Sequence, residues 1–302
     1  MVVTNFPWLT VLVALPAAGA ALLGFVPPLR RAAGRLIALA IALVELAIGV
    51  YAAATVFDWS APASYQLYES RAWIPQIGVT WSVAVTSLGL VMILLALALV
   101  PLVLIAGWDE NEDRGAYPAL VLALQAFMVL IFAAFDLAVF YFAFEAMLIP
   151  VYFLIGNYGG PQRRRAAMKF LLYSLAGGLV MLVAVAIVGV HAYGNPEGFT
   201  FTQMAATYKE LGQSERTIMF ICLLVPFIIK APMVPLHTWL PDTAEQATPG
   251  TSVLLIGVLD KIGTYGMIVM CVPLLTSDMH WVSLTMMSLA IVAIIYGGLA
   301  AI

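Results

Sequence analysis

Three ionisable residues stand inside long apolar runs: Glu145 in "YFAFEAMLIP", Lys230 in "LLVPFIIKAP" and Lys261 in "LLIGVLDKIG". A charge at the centre of a membrane helix costs at least about 2.5–3.5 kcal/mol on insertion scales, so each needs a partner, a neutral form or a wet cavity. Glu145 follows Asp136 by nine residues, roughly 14 Å at the helical rise. Lys230 and Lys261 are each the fourteenth residue of runs that start at 217 and 248. Three ionisable groups therefore share one depth on three helices. Burial disfavours the charged form of a side chain and pairing restores it, so a lysine whose partner approaches and withdraws can take up and release a proton. A static buried ion pair such as Glu145–Lys230 is the alternative, and it accounts for one pair better than for three charges.

The segment "LLVPFIIKAPMVPLHTWLPDTAEQATPG" adds prolines at 226, 232, 235, 241 and 249. An interior proline removes a backbone donor and frees an upstream carbonyl, which membranes tolerate only where that backbone is buried in protein or faces a cavity. Lys230 stands two residues before Pro232, at the expected break, where it can also bond the freed carbonyls. A discontinuous helix with a charge at its break marks an ion or substrate path. His237, just past the break, is a candidate for bringing protons in from the inner side; a hydrogen-bonded interface histidine is the competing reading. Glu45 lies at mid-depth in another run without an evident partner. Asp260 adjoins Lys261, but adjacent residues do not face each other on an α-helix, so its partner is expected on another helix. His191 and His280 are expected at outer interfaces.

The elements that must position these residues follow from composition. Of 302 residues 64% are hydrophobic and 10% charged, with a mean hydropathy of +1.03. That excludes a soluble globular protein and gives a polytopic membrane protein. Apolar runs at about 8–29, 33–57, 80–106, 116–135, 137–157, 166–191, 217–240, 248–273 and 280–302 predict nine spans in an all-α bundle. Arg30, Arg31, Arg35, Arg114, Arg163, Arg164, Arg165 and Lys169 fall on one side, and Arg71, Lys209 and Arg216 on the other. The positive-inside rule then places the N-terminus outside. Trp59, Tyr65, Tyr68, Trp73 and Trp81 mark residues 58–80 as an interfacial outer loop, and residues 194–216 contain a short amphipathic surface helix. Spans 4 and 5 are expected as an antiparallel pair turning at Asp136. The first run lacks the basic flank of a cleaved signal and reads as a retained span. The last run stops at Ile302 without a polar tail, which suggests part of a longer protein. Cys222 and Cys271 lack the spacing of a metal or iron–sulfur site, and no nucleotide-binding or hydrolase motif stands in the loops. No metal, no cofactor in the chain and no nucleic acid are expected.

"FYFAFEAMLIPVYFLIGNYGG", "IIKAPMVPLHTWLPD" and "LLIGVLDKIGTYGM" resemble the antiporter-like membrane subunits of respiratory complex I, the Glu-Ala-Met-Leu-Ile-Pro run being most similar to the M, or chain 4, branch. "WIPQIGVTWSVAVTSLGL" is similar to the family's third helix. The resemblance implies fourteen helices in the family, its fourth to eighth and ninth to thirteenth forming inverted repeats, each with a broken helix. Residues 1–115 would then be helices 1–3, residues 116–275 the first antiporter-like repeat and residues 276–302 the start of the second. It implies that Glu145 tunes the proton affinity of Lys230, and that Lys261 passes the proton on. The pattern departs at Ala244 and Gln246, where the family often has His and Glu, at the shifted Pro249, at Thr86 in place of an aspartate, and at Asp260 in place of an aliphatic residue.

The implied function is proton translocation within an NADH:quinone oxidoreductase, in a bacterial plasma membrane rather than a mitochondrial one. The partners are neighbouring antiporter-like subunits and the lipid bilayer, with FMN, iron–sulfur clusters and quinone in partner subunits. A subunit of a multisubunit cation/proton antiporter of the Mrp type is the second reading. A third is a structural spacer with a dry interior that moves no protons.

Overall fold

The structure is a computed structural model that describes residues 6–108, 115–192, 194, 195, 197–275 and 279–300, without the side chains of Arg31, Ala32, His280 and Ala300. Arg114, and the side chains of Arg31 and His280, therefore lie outside the described residues. The chain runs through α1 (Trp8–Phe25), α2 (Pro27–Thr55), a hairpin of β1 (Gln66–Ile74) and β2 (Val79–Val85), α3 (Ser87–Ala106) and α4 (Tyr117–Ala133). It continues through α5 (Leu137–Ala146), α6 (Leu148–Tyr158), α7 (Arg163–His191), α8 (Phe201–Glu210), α9 (Gln213–Lys230) and α10 (Trp239–Gln246). Last come α11 (Pro249–Leu254), a π-helical turn (Leu255–Leu259), α12 (Asp260–Gly266), a second π turn (Met267–Cys271) and α13 (His280–Ala300).

Among the described residues seven helices, with α5 and α6 counted as one and α11 to α12 with their π turns as another, are long and apolar enough to cross a membrane. The shorter apolar α4 joins them, as does α9, whose Glu215, Arg216 and Lys230 dilute its hydropathy. Together these match the nine expected runs. The protein is an integral, multi-pass membrane protein. α4 is buried along nearly its whole length, with α1, α2, α3, α5 and α6 packed around it and α7 against α9. Large apolar side chains such as Leu36, Leu102, Leu172 and Ile294 are exposed, as lipid-facing surfaces require, because hydrocarbon solvates them.

One element differs from the sequence reading. Residues 80–85, expected as the start of a span, belong instead to β2, which pairs antiparallel with β1. Helix begins only at Ser87, with the Thr86 side chain accepting from the Gly89 amide at 3.5 Å. The physical reason is the pattern "VTWSVAV": its β-branched and aromatic residues suit a strand, and an apolar strand buried on both faces cannot be told from helix by hydropathy.

The hairpin ties the outer ends together. The Glu69 carboxylate accepts from the Leu9 amide at 2.7 Å and the Thr10 amide at 3.2 Å, and also from the Thr10 hydroxyl. It thereby supplies the N-terminal cap that α1 lacks. Burial raises the Glu69 carboxyl above its ordinary range, against the pull of these bonds and of Arg71. Asp136 caps α5 through the Ala138 and Val139 amides at 2.8 and 3.1 Å and takes the Thr80 hydroxyl at 3.1 Å. The antiparallel α4–α5 turn is thus pinned to β2. Tyr65 and Tyr68 pack inward on Phe135, while Trp59 and Trp73 are exposed. The expected surface helix is α8, capped by Thr200. Glu69→Ala is expected to loosen the outer end of α1 by about 1 kcal/mol, the usual worth of a cap. Faster hydrogen exchange at Leu9 and Thr10 would show it; unchanged exchange would mean the hairpin does not hold α1.

Candidate functional site

α9 ends where the sequence places its break. Pro226 is accommodated inside the helix, Pro241 lies in the first half of α10 and Pro249 opens α11. Of the five prolines, only Pro232 and Pro235 occupy the non-helical stretch between α9 and α10. The broken end is sealed by protein. The Ala231 amide reaches Phe227 O at 2.8 Å and the Met233 amide reaches Ile228 O at 3.1 Å. The buried Trp239 indole donates to Ile229 O at 2.8 Å. Lys230 does not bond the freed carbonyls, contrary to the sequence reading, because the indole already fills that role.

Lys230 instead turns inward and is fully buried. Its ammonium lies 5.2 Å from the ring centre of Phe144 on α5 and 5.1 Å from that of Phe170 on α7. Two aromatic faces give a buried cation partial electrostatic relief. Phe140, Phe144 and Phe227 extend this wall, with centroids 5.9 to 6.2 Å apart.

Glu145 follows Phe144 and is therefore rotated about 100° round α5. Its carboxylate rests against Gly178 of α7. Glu145 and Lys230 act on each other electrostatically, yet neither Lys230 Nζ nor Glu145 Oε1 has a hydrogen-bond partner among the described residues. The locked ion pair offered as the static alternative is not the observed arrangement. Directly after Glu145 the helix is interrupted at Met147 between α5 and α6, and Pro150 leaves Ala146 O without its usual donor. The sequence reading did not use that signal, although Pro150 stood in it.

Lys261 sits on α12 with its side chain about half exposed. Its ammonium contacts both Asp260 oxygens at 3.0 Å and Ile256 O at 3.3 Å. The expectation that Asp260 would find its partner on another helix is corrected. The lysine side chain curls back toward the carboxylate beside it and reaches the Ile256 carbonyl of the π turn that precedes α12.

His237 is half-buried, its ring edge-on to Tyr296 at 4.8 Å and its Nδ1 without a partner among the described residues. It opens a polar cluster. Lys169 bonds Asp242 at 2.7 Å and Thr238 O at 2.7 Å, and the hydroxyls of Tyr173 and Thr238 are 2.9 Å apart. Gln246, where the family often has Glu, holds the α6–α7 loop: its Oε1 accepts from the Gln162 amide at 2.8 Å and its carbonyl from the Gly160 amide at 2.7 Å. His191 is exposed, with Nδ1 on Ile187 O at 2.9 Å.

Two residues were missed. Ser174 is buried and its hydroxyl has no partner among the described residues. On α7 it stands one turn from Phe170, which touches Lys230, and one turn from Gly178, which touches Glu145. Glu45 is fully buried with neither carboxylate oxygen bonded, and Gln125 of α4 is likewise buried and unbonded among the described residues. Among the described residues Ser174, Glu45 and Gln125 are not joined to Lys261 by any hydrogen bond. Among the described residues no group of His, Cys, Asp and Glu could hold a metal ion.

Residues 134–302, more than half of the chain, match the family described as NADH:quinone oxidoreductase/Mrp antiporter, transmembrane. NADH-quinone oxidoreductase subunit M of Mycobacterium tuberculosis is 37% identical over 99% of this chain and 60% of its own length. NAD(P)H-quinone oxidoreductase chain 4 2 of Thermosynechococcus vestitus is 36% identical over 98% of this chain and 55% of its own. The chain thus spans little more than half the length of these curated relatives. A chain of respiratory complex I from Thermus thermophilus superposes with a TM-score of 0.75 at 28% identity, covering 88% of this chain and 53% of that one. A chain of the Mrp complex from Dietzia shares the fold, with a TM-score of 0.70 at 24% identity over 86% of this chain and 28% of its own. With its broken α9 and its buried lysine at the break, the chain belongs to the NADH:quinone oxidoreductase/Mrp antiporter transmembrane family.

Proposed function

We propose that the chain is the proton-carrying part of a membrane-arm subunit of an NADH:quinone oxidoreductase. The observation that carries this reading is Lys230, fully buried at a helix break, within electrostatic reach of Glu145 but not bonded to it. A bonded pair would hold its charges in place; a separated pair can change its spacing. When Glu145 moves toward Lys230 the ammonium form is stabilised and a proton is taken up from the His237 side. When Glu145 withdraws, the Lys230 ammonium releases its proton toward Lys261, which takes it once it has passed its own proton onward and stands neutral beside Asp260. No redox step occurs in the chain. The energy comes from quinone reduction in partner subunits, which hold FMN, iron–sulfur clusters and quinone.

The relatives named for NADH-quinone oxidoreductase support this assignment. The same reading carries a division into residues 1–115 (N-terminal helices), 116–275 (first repeat) and 276–302 (start of the second), in a bacterial plasma membrane beside other antiporter-like subunits. The basic inner loops support an N-terminus on the outside. A cation/proton antiporter subunit is the second reading, favoured by the fold shared with the Mrp complex. Co-purification with flavin and iron–sulfur subunits decides for the first.

The test is proton translocation by the intact complex in proteoliposomes with Glu145→Gln, which keeps shape and removes charge. Pumping and quinone reduction are expected to fall together, by about tenfold or more, at normal assembly. Wild-type pumping would overturn the reading.

A further inference from the structure

We propose that Gly178 is a positioning residue, the seat on α7 that fixes where the Glu145 carboxylate stands relative to Lys230. The inference rests on the proton-relay reading and names a residue that the relay needs but that carries no proton itself.

Gly178 is buried in the middle of a 29-residue helix. Its backbone does not require glycine, since among the described residues the positive-φ glycines are Gly78 and Gly194. A helix interior disfavours glycine, which gives up more conformational freedom than alanine on folding. The reason for glycine must therefore be space. A Cβ at 178 would overlap Oε1 and Cδ of Glu145 and stand 2.9 Å from Oε2. All three atoms belong to the carboxyl group, so the slot is filled by the functional end of the side chain and not by its stem.

The preceding residue shows that the slot is specific. Gly177 faces α9, where a Cβ would meet Pro226 Cα and Ile229 Cδ1, each at 3.2 Å. Successive residues point about 100° apart on a helix, so one glycine admits α9 and the next admits the Glu145 carboxylate. Close approach is common among the buried glycines of this bundle, Gly49, Gly263 and Gly266 included, so what distinguishes Gly178 is that the atoms opposing it are those of a carboxylate. α7 thus sets both ends of the pair: Phe170 lines the Lys230 ammonium and Gly178 seats the carboxylate. An added methyl at 178 must drive the carboxylate off α7, since the opposing atoms are the end of the very side chain whose place matters.

The experiment compares Gly178→Ala, Gly177→Ala, Glu145→Asp and the double variant Gly178→Ala/Glu145→Asp in the full-length protein within its complex. Aspartate draws the carboxylate back by one methylene and makes room for the methyl. Gly178→Ala is expected to lower proton translocation about tenfold or more, in keeping with misplacement of a reacting group by about 1 Å, and to shift its pH profile. The double variant is expected to pump better than Gly178→Ala alone. If Gly178→Ala fails to assemble, recovered assembly in the double variant supports the seat. Wild-type pumping in Gly178→Ala, or no recovery of pumping or assembly in the double variant, overturns it. Gly177→Ala separates the seat from helix packing, because it crowds α9 and leaves the carboxylate alone; if it matched Gly178→Ala in both loss and recovery by Glu145→Asp, the seat would be overturned. Loss in Glu145→Gln with normal pumping in Gly178→Ala rejects the seat and keeps the relay. Normal pumping in Glu145→Gln rejects the relay itself.

Discussion

Lys230→Met is expected to abolish proton translocation while leaving assembly intact or improved. Methionine matches the length of the lysine stem and fits between the Phe144 and Phe170 rings that flank the ammonium. What it removes is a fully buried charge without a hydrogen-bond partner among the described residues. Such a charge is expensive to hold in hydrocarbon, and replacing a buried charge with an apolar group of similar shape is often neutral or stabilising. Lys230→Ala removes the same charge but also empties the site, adding about 2–5 kcal/mol of cavity cost. The pair of variants separates function from packing: both should lose pumping by about tenfold or more, and only the alanine should lose thermal stability. Proton uptake by proteoliposomes and the unfolding temperature of the purified complex read the two effects. A methionine variant that pumps normally would remove Lys230 from the relay.

Glu145 and Lys230 stood out in the sequence because a charge inside an apolar helix is costly enough to leave a mark in a single sequence, and Lys230 is indeed fully buried. The break in α9 was legible from the density of its prolines, although only Pro232 and Pro235 fall in it and Pro226 and Pro241 lie within helices. The β2 strand was not, because an apolar "VTWSVAV" next to a helical run has the hydropathy of a longer span. The Lys261–Asp260 pair was hidden by its spacing: neighbouring side chains diverge on a regular α-helix, and the pair forms only because the long lysine side chain curls back to the carboxylate beside it. Gly178 and Ser174 were invisible for another reason. Small residues are ordinary in membrane helices, so nothing local distinguishes a glycine that seats a carboxylate from one that faces lipid. Their roles exist only once α5, α7 and α9 are packed together.

Gly263→Ala is the second variant with a large expected effect, because its neighbours are backbone. A Cβ there would stand 2.5 Å from the Ala231 nitrogen and 2.6 Å from Phe227 O. Those two atoms form the last hydrogen bond of α9, at 2.8 Å. The added methyl would therefore press on the helix end that carries Lys230 and drive α12, with Lys261 two residues earlier, away from it. Overpacking of this kind costs about 1–3 kcal/mol, and here the strain falls on the segment between the two relay lysines. Gly49→Ala is the matched control, since its nearest neighbour is the movable end of Leu97. Gly263→Ala should lower both the unfolding temperature and pumping in the assembled complex, and Gly49→Ala should do little to either. Equal effects from the two would show that the seam between the α9 break and α12 is no more demanding than ordinary helix contact, and that the spacing of Lys230 and Lys261 is set elsewhere.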